Sequence, residues 1–137
     1  MTPAQVALIE SSWDKVFAVK EAAAEHFYAR LFELDPSLKP LFVGDMQEQG
    51  KKLMTMINVV VKGLTKLEAL VPAVQDLGRR HAKYGVKDAH YEVVGAALLG
   101  TFEADLGPAF TSDVKDAWAT AYGVLATTMK DAARAQA

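Results

Sequence analysis

Val74, Leu77 and His81 fall at i, i+3 and i+7, so a helix through them puts an imidazole on its apolar face. Gly85 is placed to stop that helix, with Arg79, Arg80 and Lys83 in its last turns, where cations suit the negative end of the helix dipole. A histidine so placed is either a core group hydrogen-bonded to a carbonyl or a nitrogen ligand offered to a metal. The local sequence leaves both open. Two more polar groups interrupt apolar stripes: the phenol of Tyr28 and the carboxamide of Gln49. Each needs a hydrogen-bond partner if buried. Tyr28 could be a core tyrosine tied to a carbonyl and Gln49 a half-exposed surface amide, or both could face a ligand.

The 137 residues are enough for one domain with a core of its own, and a single domain spanning 1–137 is expected. Half of them are hydrophobic and 23% are charged, as in soluble globular proteins. A net charge of −2 gives no reason to expect nucleic acid or an anionic membrane as a partner. There is no cysteine, which excludes disulfides, thiol nucleophiles and thiolate metal or haem ligation. The first residues run straight into an amphipathic segment, with no basic then apolar leader pattern. The longest apolar run, Ile57 to Val61, is broken by Asn58 and flanked by Lys52 and Lys62, so no spanning segment is expected. A cytoplasmic location follows as the default.

The elements that must position the three polar groups read as helices. Thr2-Pro3 starts the first, with Val6, Ile9, Trp13, Val16 and Phe17 on one stripe. The second runs from about Lys20 to Leu34, with Ala24, Phe27, Tyr28, Leu31 and Phe32 inward. Asp35-Pro36 ends it and caps a short third helix carrying Leu38, Leu41 and Phe42. After a turn at Val43-Gly44-Asp45, a long helix runs from about Met46 to Leu64 or Lys66. Leu67 to Val71 reads as a connector, and Pro72 as the opening of the His81 helix. Asp88 can cap the next helix, with Tyr91, Val94, Leu98 and Phe102 on its stripe, ending near Leu106-Gly107-Pro108. Thr111 or Ser112 caps the last, with Val114, Trp118, Tyr122, Leu125 and Met129 inward, and the tail Ala132 to Ala137 is expected to fray. The sum is an all-α domain of about seven or eight helices with short joins.

Several of these residues, in this order and spacing, carry a family likeness. They are Phe27-Tyr28-Ala29-Arg30-Leu31-Phe32, Asp35-Pro36, Leu41-Phe42, Gln49 ahead of Leu53, Leu77 through His81, His90-Tyr91 with Val93-Val94-Gly95, and Trp118 with Ala121 through Ala126. Over essentially its whole length the chain resembles single-domain bacterial haemoglobins of the globin family, in the branch that includes the globin domains of flavohaemoglobins. The resemblance implies a globin fold around a haem b pocket, with His81 as the proximal iron ligand and its second nitrogen donating to a carbonyl near Leu77. It makes Phe42 the aromatic wedged against the porphyrin, and Tyr28 and Gln49 the distal pair, with Leu53 as the apolar wall over the iron. Leu77, Val86, Tyr91 and Val94 are further pocket residues. Lys52, with Arg79, Arg80 and Lys83, either reaches the haem propionates or is a solvated surface cation. Ala24 and Gly50 let the second and long helices cross closely. A hydrogen bond from a distal donor to a charged acceptor contributes about 1.5–3 kcal/mol, which is about tenfold to over a hundredfold in ligand escape.

The likeness has gaps. Flavohaemoglobins set a Tyr and a Glu behind the proximal His. Tyr91 matches the first, but the Glu position falls on Ala133, and Asp131 is out of phase to replace it. A weaker electron push disfavours peroxidase-like O–O cleavage. No Gly-rich dinucleotide fingerprint is present, so turnover would need an external reductase. The expected function is reversible, high-affinity O2 binding, used for nitric oxide dioxygenation or for O2 storage or delivery, with O2, nitric oxide and other small diatomic gases as partners. The alternatives are a haem peroxidase, a gas or redox sensor acting through a separate protein, and a haem-free helical module. His90 reads as a surface or helix-start residue, and His26 has no assigned role.

Overall fold

The computed structural model describes residues 1–42 and 44–135. The expected turn residue Val43 and the last two residues of the tail lie outside them. The described residues form six α-helices: α1 (Pro3–Phe17), α2 (Lys20–Leu34), α3 (Met46–Lys62), α4 (Leu67–Lys83), α5 (Asp88–Leu106) and α6 (Ser112–Ala135). Three 3-10 helices join them, Pro36–Leu41 before α3, Leu64–Lys66 before α4 and Gly107–Ala109 after α5. With the six-residue Pro36–Leu41 segment as the short third helix, the all-α expectation holds. Among the described residues there is no strand, and no helix is long and apolar enough to cross a membrane.

Local signals explain most of the boundaries. Thr2 Oγ1 accepts from the Gln5 N–H at 3.1 Å while Gln5 Oε1 accepts from the Thr2 N–H at 3.0 Å, a capping box ahead of Pro3. Asp35 and Asp45 cap the Pro36–Leu41 segment and α3 by accepting backbone N–H bonds. Thr111, rather than Ser112, caps α6, accepting from the Val114 N–H at 3.3 Å. At the end of α4, Gly85 takes φ +93°, a left-handed conformation that glycine adopts without a Cβ penalty. There the Gly85 N–H donates to the Ala82 carbonyl and the Val86 N–H to the His81 carbonyl, the double bond pattern that closes a helix on a glycine.

Four boundaries differ from the sequence reading. Leu67 to Val71 is not a connector: α4 begins at Leu67, and Pro72 lies inside it. A proline there removes the bond to the Glu68 carbonyl. Both residues are exposed, and Leu70 packs closely over Gly63 and holds the first turn in place. Second, α3 stops at Lys62, and the chain tightens into the Leu64–Lys66 segment. Third, Asp88 is the first residue of α5 rather than its cap; its carboxylate instead pairs with Arg134 at 2.7 Å. Fourth, α6 continues through Ala135, with Ala132 buried, instead of fraying from Ala132.

The helices cross with α1 against α6 and α3, α2 against α5 and α3, and α4 against α6. Where α1, α3, α5 and α6 meet, Trp13, Phe102 and Trp118 form a buried aromatic cluster, with Phe102 and Trp118 centroids 4.4 Å apart. Burying an indole N–H without a partner costs about 1–3 kcal/mol, and both are satisfied. Trp13 Nε1 donates to Asn58 Oδ1 at 3.0 Å, and Trp118 Nε1 to Ser12 Oγ at 2.9 Å, with Ser12 Oγ donating on to the Leu8 carbonyl. Asn58, which breaks the apolar run in α3, therefore serves the core. A second, smaller cluster of Val74, Tyr91, Ala126 and Met129 seats α4 on α5 and α6.

α4 and α6 approach closely at Gly78, where an added Cβ would lie 2.4 Å from the Met129 carbonyl oxygen and 2.6 Å from its Cα. Backbone cannot yield as a side chain can, so Gly78→Ala is expected to cost about 1–3 kcal/mol through overpacking. Gly123, also helical but with nothing within 4 Å of an added Cβ, gives the opposite sign: Gly123→Ala should gain about 0.5–1 kcal/mol. Urea unfolding of the two variants checks the pair.

Candidate functional site

Although each is seated on neighbours, α3 and α4 make no extended contact with one another. Between them lies a cavity of about 900 Å³, walled also by α2, α5 and α6. Ligand pockets run to roughly 300–1,000 Å³, so this one is at the large end. All ten residues that the sequence reading assigned to a pocket line it: Tyr28, Phe42, Gln49, Lys52, Leu53, Leu77, His81, Val86, Tyr91 and Val94. The walls are chiefly apolar, with Leu31, Met56, Ile57, Val60 and Leu98 among the side chains between the polar groups.

On the α4 wall, His81 Nδ1 lies 2.8 Å from the Leu77 carbonyl oxygen. A carbonyl only accepts, so Nδ1 carries the proton and Nε2 keeps its lone pair. Burial lowers the His81 pKa from 6.5; the Leu77 bond opposes this and the Arg80 charge adds to it. The ring is therefore neutral at pH 7, the form that ligates a metal. Val86, turned back by the Gly85 closure, completes the wall beside it.

From the other side α2 supplies Tyr28. Its ring meets Phe27 edge-on at 5.1 Å, Phe42 edge-on at 5.4 Å and Phe32 in a stack at 6.1 Å. Such pairs contribute about 0.5–1.5 kcal/mol each beyond the area they bury, and three of them hold the ring in one place. No hydrogen bond to the Tyr28 hydroxyl is present among the described residues, and burial pushes its pKa up to about 12. It is a protonated donor on the cavity wall with no hydrogen-bond partner among the described residues. Gln49, half-buried, stands on the cavity wall from α3. Gly50 sets the spacing between the two helices: an added Cβ would lie 2.9 Å from Ala24 Cβ and 3.9 Å from Tyr28 Cε2.

At the rim, Lys52 is exposed, and Arg80 pairs with Asp76 at 3.2 Å. Arg79 and Lys83, named with them as candidate anion contacts, do not line the cavity. Behind His81, Tyr91 is buried, and no carboxylate bonds to the His81 ring among the described residues. Asp131 is exposed and tied to Arg134 at 3.0 Å. Among the wall residues that sequence reasoning did not assign to the pocket are Tyr122, Tyr84 and His90. Tyr122 donates its hydroxyl to the Tyr91 carbonyl at 2.6 Å, pinning α5 at the cavity floor. Tyr84, largely exposed, stands 6.4 Å from the His81 ring. His90 both starts α5 and faces the cavity; its position three residues after Lys87, at the third helical residue of α5, was the available signal. His26, left without a role, joins α2 to α5 through Asp105 Oδ1 at 2.8 Å.

A family model described as Globin matches residues 25–129, a span that includes every one of the ten pocket residues. Neuroglobin from Danio rerio is 33% identical over 136 residues, covering 89% of this chain and 86% of its own length. A flavohemoprotein from Vibrio cholerae is 30% identical over 134 residues, but this chain spans only 34% of its length. A solved structure of a bacterial globin from Campylobacter jejuni superposes with a TM-score of 0.85 at 29% identity, covering 98% of each chain. By sequence and by fold, the chain belongs to the globin family.

Proposed function

We propose that this chain is a single globin domain that binds haem b through His81 and uses Tyr28, with Gln49, to retain O2. The family itself supports haem-based binding of O2 and other diatomic gases. The observation that carries the finer reading is one cavity with a lone-pair nitrogen on the α4 wall and an unsatisfied phenol from α2. The residues suit haem: the walls are apolar, the volume is ample, and His81 offers a single neutral ligand. Among the described residues there is no group of three or more His, Asp or Glu side chains placed to hold a metal. A metal at His81 would therefore have to bring most of its ligands with it, as a porphyrin does. Haem held there supplies an iron that binds diatomic gases and moves between ferrous and ferric states.

His81 holds and orients the group, with Leu77 fixing its ring. Leu53 and Phe42 exclude water and set the porphyrin's position. Tyr28 Oη donates a hydrogen bond to a polar gas ligand in the cavity, and Gln49 adds a second polar contact. We place Lys52 and Arg80 at the propionate edge. Slow gas escape suits either nitric oxide dioxygenation to nitrate or O2 storage and delivery, in the cytoplasm. Nitrate formation from nitric oxide and O2 consumes one electron per turnover, which an external reductase would supply. The His81 ring is held by a neutral carbonyl and by no carboxylate among the described residues, and with Asp131 committed to Arg134 this favours these over a peroxidase.

Absorption spectra of haem-reconstituted protein in ferric, ferrous and O2-exposed forms test the assignment. His81→Ala is expected to abolish the wild-type Soret band, and retention of that band would remove His81 as the ligand. Tyr28→Phe should raise the O2 off-rate by about tenfold or more; an unchanged rate in stopped flow would take Tyr28 out of the mechanism. The raised pKa of Tyr28 has its own signature. An unfolded chain loses this proton near pH 10.0 and the folded one near about 12, so folded-state stability falls as pH rises through that window. Urea unfolding of the cofactor-free protein should show this alkaline loss reduced in Tyr28→Phe.

A further inference from the structure

The same cavity has a second imidazole on its wall, in the opposite protonation pattern from His81. His90 Nδ1 lies 2.9 Å from the Lys87 backbone N–H, which can only donate. Nδ1 must accept, so in the neutral ring the proton sits on Nε2. Nε2 has no hydrogen-bond partner among the described residues, while the ring itself is half-buried in the cavity wall. With Nε2 protonated, His90 is not a second metal ligand. It is a hydrogen-bond donor available to whatever fills the cavity.

The surroundings favour a negative acceptor. His90 stands in the first turn of α5, at the positive end of the helix dipole. Two carboxylates lie two residues from it on α5: Asp88 is taken by Arg134 of α6 at 2.7 Å, and Glu92 is exposed and does not line the cavity. Lys87 precedes it on the chain, Lys130 of α6 lies over the Tyr91 ring at 6.0 Å, and Arg80 of α4 shares the cavity wall. We propose that His90 is a cofactor-positioning residue, donating Nε2–H to a carboxylate side chain of the bound porphyrin. This rests on the haem reading above, and it gives the group an anchor on α5 in addition to His81 on α4.

The test separates that role from helix capping. His90→Gln keeps an acceptor for the Lys87 N–H and a donor for the cavity. His90→Glu keeps the acceptor, in the helix position where Glu caps well, but replaces the donor with a like charge. His90→Leu removes both. Each is loaded with ferric haem, and haem loss is timed by transfer to excess apomyoglobin, while thermal unfolding of the cofactor-free chains reports the fold. Loss is expected to be about tenfold faster or more for His90→Glu and His90→Leu and near wild type for His90→Gln. The differences should vanish with haem dimethyl ester, whose carboxylates are blocked. Equal rates in all variants, or differences that persist with the ester, would overturn the proposal while leaving the haem reading intact. A wild-type chain that takes up no haem would overturn both.

Discussion

The site depends on a hydrogen bond between a side chain and the backbone of its own helix. The Leu77 carbonyl, one turn before His81, accepts a hydrogen bond from Nδ1–H and so leaves the Nε2 lone pair free. Among the described residues no other group hydrogen-bonds to this ring. The bond holds only while α4 is regular through that turn and seated firmly enough that the ring cannot rotate away. The seat is α6, approached at Gly78, and the stop is the Gly85 closure, which also folds Val86 against the same wall. Seat, stop and carbonyl together turn an ordinary amphipathic helix into a directed nitrogen.

The cavity exists because the helices on its two sides have other partners. α3 is held by α1 and α2, partly through Trp13 and Asn58 and partly through the Gly50–Ala24 contact. α4 is held by α6. With both fixed from behind, neither can collapse onto the other, and the space between them persists with polar groups on its walls. Burial then tunes those groups in opposite senses: it keeps the His81 ring neutral and the Tyr28 hydroxyl protonated. One apolar environment thus supplies both a ligand and a donor.

Much of this was legible in the sequence because it follows periodicity. The apolar stripes gave the helices, and the ten residues that the family resemblance assigned to a pocket share one cavity. What failed was local chemistry that tertiary contacts override. Pro72 reads as a helix start, yet Leu70 has Gly63 to pack against, so α4 begins a turn earlier and tolerates the proline on its wet face. Asp88 has the right residue type for a cap, but Arg134, distant in sequence, claims its carboxylate. His90 and Tyr122 were visible as polar residues in helical patterns. Which backbone group each would bond is a fact of three dimensions, and that bond decides what the rest of the side chain is free to do.

The contact between Gly78 and the Met129 backbone has a mechanical consequence. Gly78 lies three residues before His81 and eleven after Leu67, so α4 and α6 approach backbone to backbone where the imidazole leaves the helix. At the far end of α4 the spacing is set by the Leu70 side chain over Gly63, at the joint with α3. Rigid main chain gauges the ligand end of the helix, and a deformable side chain gauges the other.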